Sequence, residues 1–308
     1  MLTAFWETAG SKLTDRWAAV SAPALLFWLG GLAAWTHHHG GLRTLDTHTG
    51  WLDRQTPAVQ TATILTALLT ITASGIVVDR LTTPTLRLLE GYWPSWTGPL
   101  RRRLTDTLAR RAAADAAAWQ QAYSRIHTAA PTAADLAVYT RLDRRRRRRP
   151  ASAGYFLPTP IGNILRAAER RPVDKYGLDT VTVWPHLWLL LPEDTRTALR
   201  AARASLDTAV ATALWGVLFC AFTPLTWLAL PVGLTVTGLA VAVVVPARAQ
   251  VFGDLIETAY DLHRTAVYQQ LRWPLPASPH HEREHGQRLT AYLWRGSDDP
   301  TPTFTPPP

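Results

Sequence analysis

The sequence is poor in residues that form covalent cross-links, with one cysteine, Cys220, among its 308 residues. A single cysteine excludes an intramolecular disulfide and a metal site made only of thiolates. Lysine is also scarce, since it occurs only at Lys12 and Lys175, so arginine supplies nearly all of the cations behind the net charge of +9. A genome rich in G and C is one explanation for this bias, but the charge acts in the same way whatever its origin.

Four long apolar runs lack Asp, Glu, Lys, Arg and His altogether, at about 18–35, 58–78, 208–227 and 229–245. Each is near the ~20 residues needed to cross a ~30 Å hydrocarbon core. The missing charges argue against a proton relay or an ion-coupled transporter. We therefore predict an all-α fold: a four-helix transmembrane bundle of two hairpins, with a helical cytoplasmic insert between spans two and three.

The first run has a second interpretation, as a signal peptide that is removed. Lys12 and Arg16 precede it, and residues 31–33 resemble a small-residue cleavage site. Glu7 and Asp15 before the run, and tryptophans within it, favour a retained membrane anchor.

Charges beside the spans predict the orientation of the chain. The cationic residues of segment 36–57 are only Arg43 and Arg54, whereas a dense group of arginines follows the second span. We therefore expect a multi-pass protein of the bacterial plasma membrane, with both termini in the cytoplasm. The predicted order is a cytoplasmic N-terminus (1–17), a first transmembrane hairpin (18–78), a basic helical insert (79–207), a second hairpin (208–246), an exit helix with a C-terminal segment (247–296) and a disordered Pro/Thr tail (297–308).

The second span carries four hydroxyl side chains, Thr63, Thr66, Thr70 and Ser74, called here the hydroxyl stripe. At 100° per residue they fall within about 80° of one helix face. One interpretation is that they line a path for water or ions. The other is close helix packing, with each hydroxyl bonded to a carbonyl of its own helix.

Two arginine clusters lie in the insert. The run Arg144–Arg149 allows three interpretations: a solvated helix end, a contact with anionic lipid, or a contact with nucleic acid. The last lacks interleaved aromatic residues and any recognisable module. An arginine close to an anionic membrane contributes about 1 kcal/mol of attraction. The candidate lipid contacts are Arg101, Arg102, Arg103, Arg144, Arg145, Arg146, Arg147, Arg148 and Arg149.

Segment 155–192 is rich in polar and aromatic residues. Asn163 is the expected N-cap of a short helix that runs through Arg170 and is ended by Pro172. The candidate site residues of this block are Asn163, Glu169, Tyr176, Asp179 and Trp184. For Glu169 and Asp179 the simpler interpretation is a structural salt bridge to Arg166 or Arg171.

This block, read as Gly162-Asn163, then Ala167-Ala168-Glu169, Tyr176-Gly177-Leu178-Asp179 and Trp184-Pro185, resembles one in uncharacterised polytopic membrane proteins of high-GC bacteria. The resemblance covers about the second half of the chain and implies a shared fold without an established activity. In layout alone, two hairpins around a helical insert are similar to bestrophin-type channels, none of whose sequence motifs are present.

The helix expected after the fourth span, at 248–272, carries an acidic stripe of Asp254, Glu257 and Asp261. Because the insert is strongly basic, we predict that this stripe docks on the insert.

A zinc-protease motif occurs by letter at His281-Glu282-Arg283-Glu284-His285. H-E-x-x-H binds zinc when it lies on a helix that is seated in a core. Here it follows three prolines in a segment expected to be a loop, and no persuasive third ligand follows. We interpret the match as fortuitous.

These observations favour a non-enzymatic, oligomeric channel or pore with a cytoplasmic regulatory lobe. The alternative is a membrane-anchored scaffold that binds anionic lipid or a cytoplasmic partner; a remote one is a zinc metalloprotease acting through His281, Glu282 and His285. We expect no catalytic residue, metal or cofactor. The expected partners are the bilayer, anionic lipids and further copies of the chain, and the sequence identifies no protein partner.

Overall fold

The computed structural model describes residues 22–39, 50, 54–128, 131–296 and 300–306. The described residues are all-helical and contain no strand. Their helices are α1 (22–38), α2 (Pro57–Glu90), α3 (Gly98–Thr128), α4 (Ala133–Arg147), α5 (Pro160–Tyr176), α6 (Thr180–Leu190), α7 (Glu193–Phe219), α8 (Ala229–Leu239), α9 (Val245–Gln270) and α10 (Glu282–Arg295). A π-helical turn, Ala240–Val244, joins α8 to α9 without a break.

Three helical stretches in the described part of the chain are long and apolar enough to cross a membrane. They begin at Pro57, Glu193 and Ala229. The all-helical fold is confirmed, and these helices agree with a location in the membrane. A bundle of four spans is not confirmed: the first expected span begins at residue 18, and residues 1–21 lie outside the described part.

The chain divides into two compact units. The first unit comprises Met1–Leu86 and Asp207–Val245, and the second comprises Arg87–Leu206 and Pro246–Pro308. Helices α2 and α7 and the continuous helix α8–α9 each contribute residues to both units.

Small residues allow close approach of helices α7 and α8 within the first unit. A Cβ on Gly233 would lie 2.6 Å from the carbonyl oxygen of Gly216, so neither position has room for a side chain. The Thr237 hydroxyl donates to the carbonyl oxygens of Gly233 (2.8 Å) and Ala213 (3.2 Å). Such contacts between small residues are typical of helices that associate within a bilayer.

The second unit has the larger hydrophobic core, which buries side chains from α6, α7, α9 and α10. Its fully buried members include Leu187, Leu199, Tyr260, Tyr268 and Leu289. Burial of this apolar surface is the main source of the unit's stability.

Two expectations about helix bounds are wrong. Helix α5 does not end at Pro172 but continues to Tyr176, where Gly177 terminates it in the left-handed conformation (φ 71°). The turn beyond the proline is held by contacts of Lys175 and Tyr176 with Asp261. The segment of the zinc-motif residues is not a loop, because α10 begins at Glu282.

Within the described part of the tail, Thr305 contacts Arg272, and the disorder of 297–308 stays a prediction. The Thr305 backbone N–H donates to the Arg272 carbonyl oxygen over 2.8 Å, and the Arg272 Nε donates back to the Thr305 carbonyl oxygen over 3.0 Å. One backbone hydrogen bond and one from the Arg272 side chain therefore hold Thr305 against the turn after α9.

Candidate functional site

The hydroxyl stripe borders an open groove in the first unit. Thr63, Thr66 and Thr70 line it together with Trp28 of α1, and its volume is about 590 Å³. Ser74 continues the stripe and accepts a hydrogen bond from the Trp28 indole Nε1 (3.1 Å). The structure therefore brings all four predicted residues to one face beside α1.

Each hydroxyl of the stripe donates to a carbonyl of its own helix. The Thr63, Thr66 and Thr70 hydroxyls bond the carbonyl oxygens four residues earlier at 2.8 Å, and Ser74 bonds that of Ile71 at 2.8 Å. These bonds use the hydroxyl protons, so the lone pairs of the three threonine oxygens are what the groove presents. The surface thus accepts hydrogen bonds from water or a cation, and it carries no charge.

The N-terminal half of α2 is exposed around its whole circumference. Within 57–70 every residue except Gln60 is exposed, including Leu65 and Leu69 on faces away from the stripe. An apolar helix in this state needs lipid or further helices around it.

Asn163 is not the N-cap of α5. Thr159 takes that role, since its hydroxyl accepts from the Gly162 N–H (3.0 Å). The Asn163 side chain is buried and bonds the preceding loop in both directions: its Oδ1 accepts from the Leu157 N–H (2.7 Å), and its Nδ2 donates to the Leu157 oxygen (2.9 Å). The expectation was wrong because the side-chain amide forms its hydrogen bonds with the backbone of Leu157, which precedes the helix.

The other candidates of this block have structural contacts. Glu169 forms the expected salt bridge with Arg166 (3.0 Å). Asp179 pairs with no arginine among the described residues; instead it caps α6 by accepting from the Thr182 N–H (3.1 Å). Trp184 packs against the rings of Trp188 and Tyr260. These contacts stabilise the fold of the second unit.

The acidic stripe of α9 meets two cations of α5, which confirms the predicted docking. Arg171 pairs with Glu257 and, at 3.6 Å, with Asp254. Lys175 pairs with Glu257 (2.7 Å) and with Asp261 (3.2 Å). We call this five-residue network the ionic seam. Arg171 and Glu257 are its least exposed members, each with 20% of the side chain accessible.

Tyr176 extends the ionic seam. Its hydroxyl donates to Asp261 over 2.5 Å, and the Arg264 guanidinium lies 4.2 Å from the centre of its ring. Partial burial and the neighbouring Asp261 carboxylate raise the pKa of the Tyr176 phenol. For Lys175, burial lowers the pKa, but the bonds and charges of Glu257 and Asp261 outweigh it, so the net pKa is raised.

Some arginines at the end of α4 have partners within the α3–α4 hairpin, and others do not among the described residues. Asp115 of α3 accepts from Arg149 (2.7 Å) and lies 3.7 Å from Arg145, whereas Arg147 pairs with Asp143 (3.0 Å). Arg146 lies over the Trp119 ring, 4.2 Å from its centre. Arg145, Arg146 and Arg149 therefore hold the α3–α4 hairpin together, whereas Arg147 makes its ion pair within α4.

Two further arginines of α4 and its C-cap residue remain exposed: Arg141, Arg144 and Arg148, called here the arginine face. They have no ion pair or hydrogen bond to another side chain among the described residues, and together with Arg145, Ala137 and Thr140 they line an open surface groove of about 560 Å³. Arg101, Arg102 and Arg103 are likewise exposed at the start of α3. Sequence reasoning missed Arg141, which lies outside the uninterrupted run; the i, i+3, i+7 spacing could have identified it.

The residues of the zinc motif are engaged in other contacts. Glu282 pairs with Arg264 (2.6 Å), and both side chains are largely buried. His285 Nε2 lies 3.1 Å from the Pro274 carbonyl oxygen, and His281 Nδ1 lies 2.9 Å from the Ser278 hydroxyl. No cluster of three or more His, Cys, Asp or Glu side chains suited to a metal ion occurs in the described ranges.

No family model, curated protein or solved structure matches this chain. Its own geometry therefore carries the functional assignment. Two surfaces stand out within the described residues: the hydroxyl-lined groove of the first unit and the arginine face of the second.

Proposed function

We propose that this chain is a subunit of an oligomeric membrane channel in which α2 lines the pore and the second unit is a cytoplasmic regulatory lobe. One observation carries the proposal: the hydroxyl stripe lines an open groove on a half-helix whose other faces are exposed and mostly apolar. In an oligomer, the stripe faces a central path for water and the leucines face lipid or neighbouring helices. Because the expected spans contain no charged residue, such a pore selects by diameter and by the dipoles of its threonines.

Two further observations support a lobe that regulates the pore. Helices α2 and α7 and the continuous helix α8–α9 contribute to both units, and the ionic seam fixes α9 to α5 within the second unit. A displacement of α5 is therefore transmitted to a helix that is continuous with an apolar span. The arginine asymmetry beside the spans supports a cytoplasmic location of the second unit.

The second candidate is a membrane-anchored scaffold. The α3–α4 hairpin favours it, because most of the hairpin surface is exposed and open to a partner. Among its described residues only Ala122 and Leu142 are buried. A scaffold conducts nothing, so the two functions differ in a direct measurement.

Ion flux through liposomes that hold the purified full-length protein tests the channel. Changing Thr63, Thr66 and Thr70 to Val keeps the shape of each side chain but removes the oxygen lining, so we expect flux of K⁺ or Cl⁻ to fall roughly tenfold or more. The matched control changes Thr61 and Thr72 to Val. These threonines also bond their own helix carbonyls, but they lie on the opposite face of α2.

The mass of the protein in detergent completes the test, since a pore lined by one stripe per subunit requires several copies. A monomer without flux contradicts the channel and leaves the scaffold. Equal losses of flux in the two threonine variants would show that the hydroxyl stripe does not line the pore.

A further inference from the structure

The positive charge of this protein is concentrated in one helical hairpin. Segment 98–149, which contains α3 and α4, holds 13 arginines and four aspartates, a net charge of +9 that equals the charge of the entire chain. The remaining residues are therefore neutral in sum. A charge confined in this way attracts polyanions to one part of the molecule.

Contacts within the hairpin neutralise only part of this charge. Asp115 and Asp143 account for Arg145, Arg147 and Arg149, and Trp119 covers Arg146. The arginine face has no such partner among the described residues.

The geometry of the arginine face suits a flat, repeating anion. Positions 141, 144 and 148 follow i, i+3, i+7 and so lie within about 60° of one helix face. They span about 10 Å along the axis at 1.5 Å per residue. Like charges at this spacing repel one another along a helix, so an external anion that bridges them stabilises α4.

We propose that the arginine face of the α3–α4 hairpin binds the surface of an anionic phospholipid bilayer. A bilayer is favoured over other polyanions because the same chain carries helices suited to crossing a membrane, and only seven residues separate α2 from α3. So short a connection ties the hairpin to α2, so its binding to the membrane that α2 is proposed to cross is intramolecular and gains from a high effective concentration. The proposal is independent of the channel, because a scaffold could bind lipid in the same way.

The test uses full-length protein in nanodiscs of neutral phosphatidylcholine, so that the arginine face is free to bind added vesicles. Flotation with vesicles that contain about one third phosphatidylglycerol should recover the protein, and vesicles of phosphatidylcholine alone should not. Each arginine contributes roughly fivefold to binding, so the triple change Arg141→Gln, Arg144→Gln and Arg148→Gln should weaken it roughly 100-fold. High salt should release the wild-type protein, because exposed charges are screened.

A charge-matched control separates the arginine face from net charge. Changing Arg283, Arg288 and Arg295 of α10 to Gln removes three exposed cations from a different helix. Unchanged far-ultraviolet circular dichroism shows that each variant remains folded. If the control weakens binding as much as the triple change in α4, the charge alone matters and the proposed surface is wrong.

Two competitors test other occupants. Release from the vesicles by millimolar inorganic phosphate, at constant ionic strength, would assign the face to a free phosphate compound and overturn the bilayer proposal. Binding of a short single-stranded RNA that is lost in the α4 variant, without any binding to vesicles, would overturn it in favour of nucleic acid.

Discussion

Glu257 is the central carboxylate of the ionic seam, because it is shared by Arg171 and Lys175. Asp254 and Asp261 are more exposed, at 57% and 38%, so solvent screens their contribution. The seam therefore depends mainly on one partly buried pair, Arg171 with Glu257.

Glu257→Gln should lower the stability of the protein by about 2 kcal/mol, less than the ~3–5 kcal/mol for a fully buried pair, since it leaves Arg171 without its main partner. Thermal unfolding in detergent at low salt should shift down by roughly 4–8 °C. The control is Glu284→Gln, which breaks the exposed i,i+4 pair with Arg288 and should change stability by about 0.5 kcal/mol or less. Equal melting temperatures for Glu257→Gln and Glu284→Gln would show that the seam adds nothing.

Changing both His281 and His285 to Ala should leave the zinc content of the purified protein unchanged, because their nearest polar partners are a serine hydroxyl and a backbone carbonyl. Glu282→Gln should instead destabilise the fold by about 2 kcal/mol, since it strands the largely buried Arg264. Mass spectrometry of metals and thermal unfolding measure the two effects. Stoichiometric zinc that disappears in the histidine variant would revive the metalloprotease.

Burial raises the pKa of two phenols in the core of the second unit, Tyr260 and Tyr268. In the unfolded chain they ionise near pH 10, whereas in the folded protein they stay neutral. Their contribution to stability is thus fully present below about pH 10 and falls as the pH rises further, by about 1.4 kcal/mol per pH unit for each tyrosine.

Tyr268→Phe should make the free energy of unfolding fall less steeply above pH 10, by the contribution of one tyrosine. The phenol has no hydrogen-bond partner among the described residues, so the substitution removes no such bond. Urea unfolding between pH 9 and 11 gives the slope, and Tyr123→Phe, at a side chain with 42% exposure, is the control. A slope that Tyr268→Phe leaves unchanged would show that burial does not protect Tyr268 from ionisation.

Helices α5 and α10 meet backbone to backbone. A Cβ on Gly286 of α10 would overlap the Tyr176 carbonyl oxygen, and one on Gly177 would overlap the Arg283 carbonyl oxygen. The Thr290 hydroxyl donates to the Gly177 carbonyl oxygen over 3.1 Å and accepts from the Asp179 N–H over 3.1 Å. The pair is therefore fixed by close approach and by the hydrogen bonds of one side chain.

Gly286→Ala should destabilise the second unit by about 3 kcal/mol, because a backbone carbonyl cannot move aside as a side chain can. Gly154→Ala is the matched control: nothing lies within 4 Å of its added Cβ, and we expect a change of about 0.5 kcal/mol or less. Thermal unfolding in detergent compares them. A wild-type melting temperature for Gly286→Ala would mean that α10 packs less closely on α5.

The predicted orientation in the membrane can be tested on intact cells. In a Cys220→Ala background, Ser95→Cys should resist a membrane-impermeant maleimide until the cells are opened, whereas Thr47→Cys should react at once. Ser95 is exposed in the turn before α3, and Thr47 lies outside the described residues. Labelling of Ser95→Cys from outside would place the second unit on the other side and remove the cytoplasmic lobe from the proposed function.

The sequence by itself determined the helical class, the apolar stretches, the concentration of charge in one hairpin and the attraction between the acidic stripe and the insert. These properties follow from composition and periodicity within single segments. The placement of four hydroxyls on one face of the second span was predicted in the same way. Helix bounds after prolines were not, since contacts of Lys175 and Tyr176 with a distant helix sustain α5 beyond Pro172.

Only the tertiary structure decided which polar residues are free. Arg144 and Arg149 are equivalent in a run of six arginines, but Arg149 reaches Asp115, 34 residues earlier, and Arg144 reaches no acid among the described residues. The Asn163 side chain bonds the backbone of Leu157 and so does not cap α5. The Glu282 carboxylate pairs with Arg264 and so does not act in a zinc site. The reason is physical: an ion pair or hydrogen bond forms only within about 3–4 Å, and the packing of separate helices sets that distance.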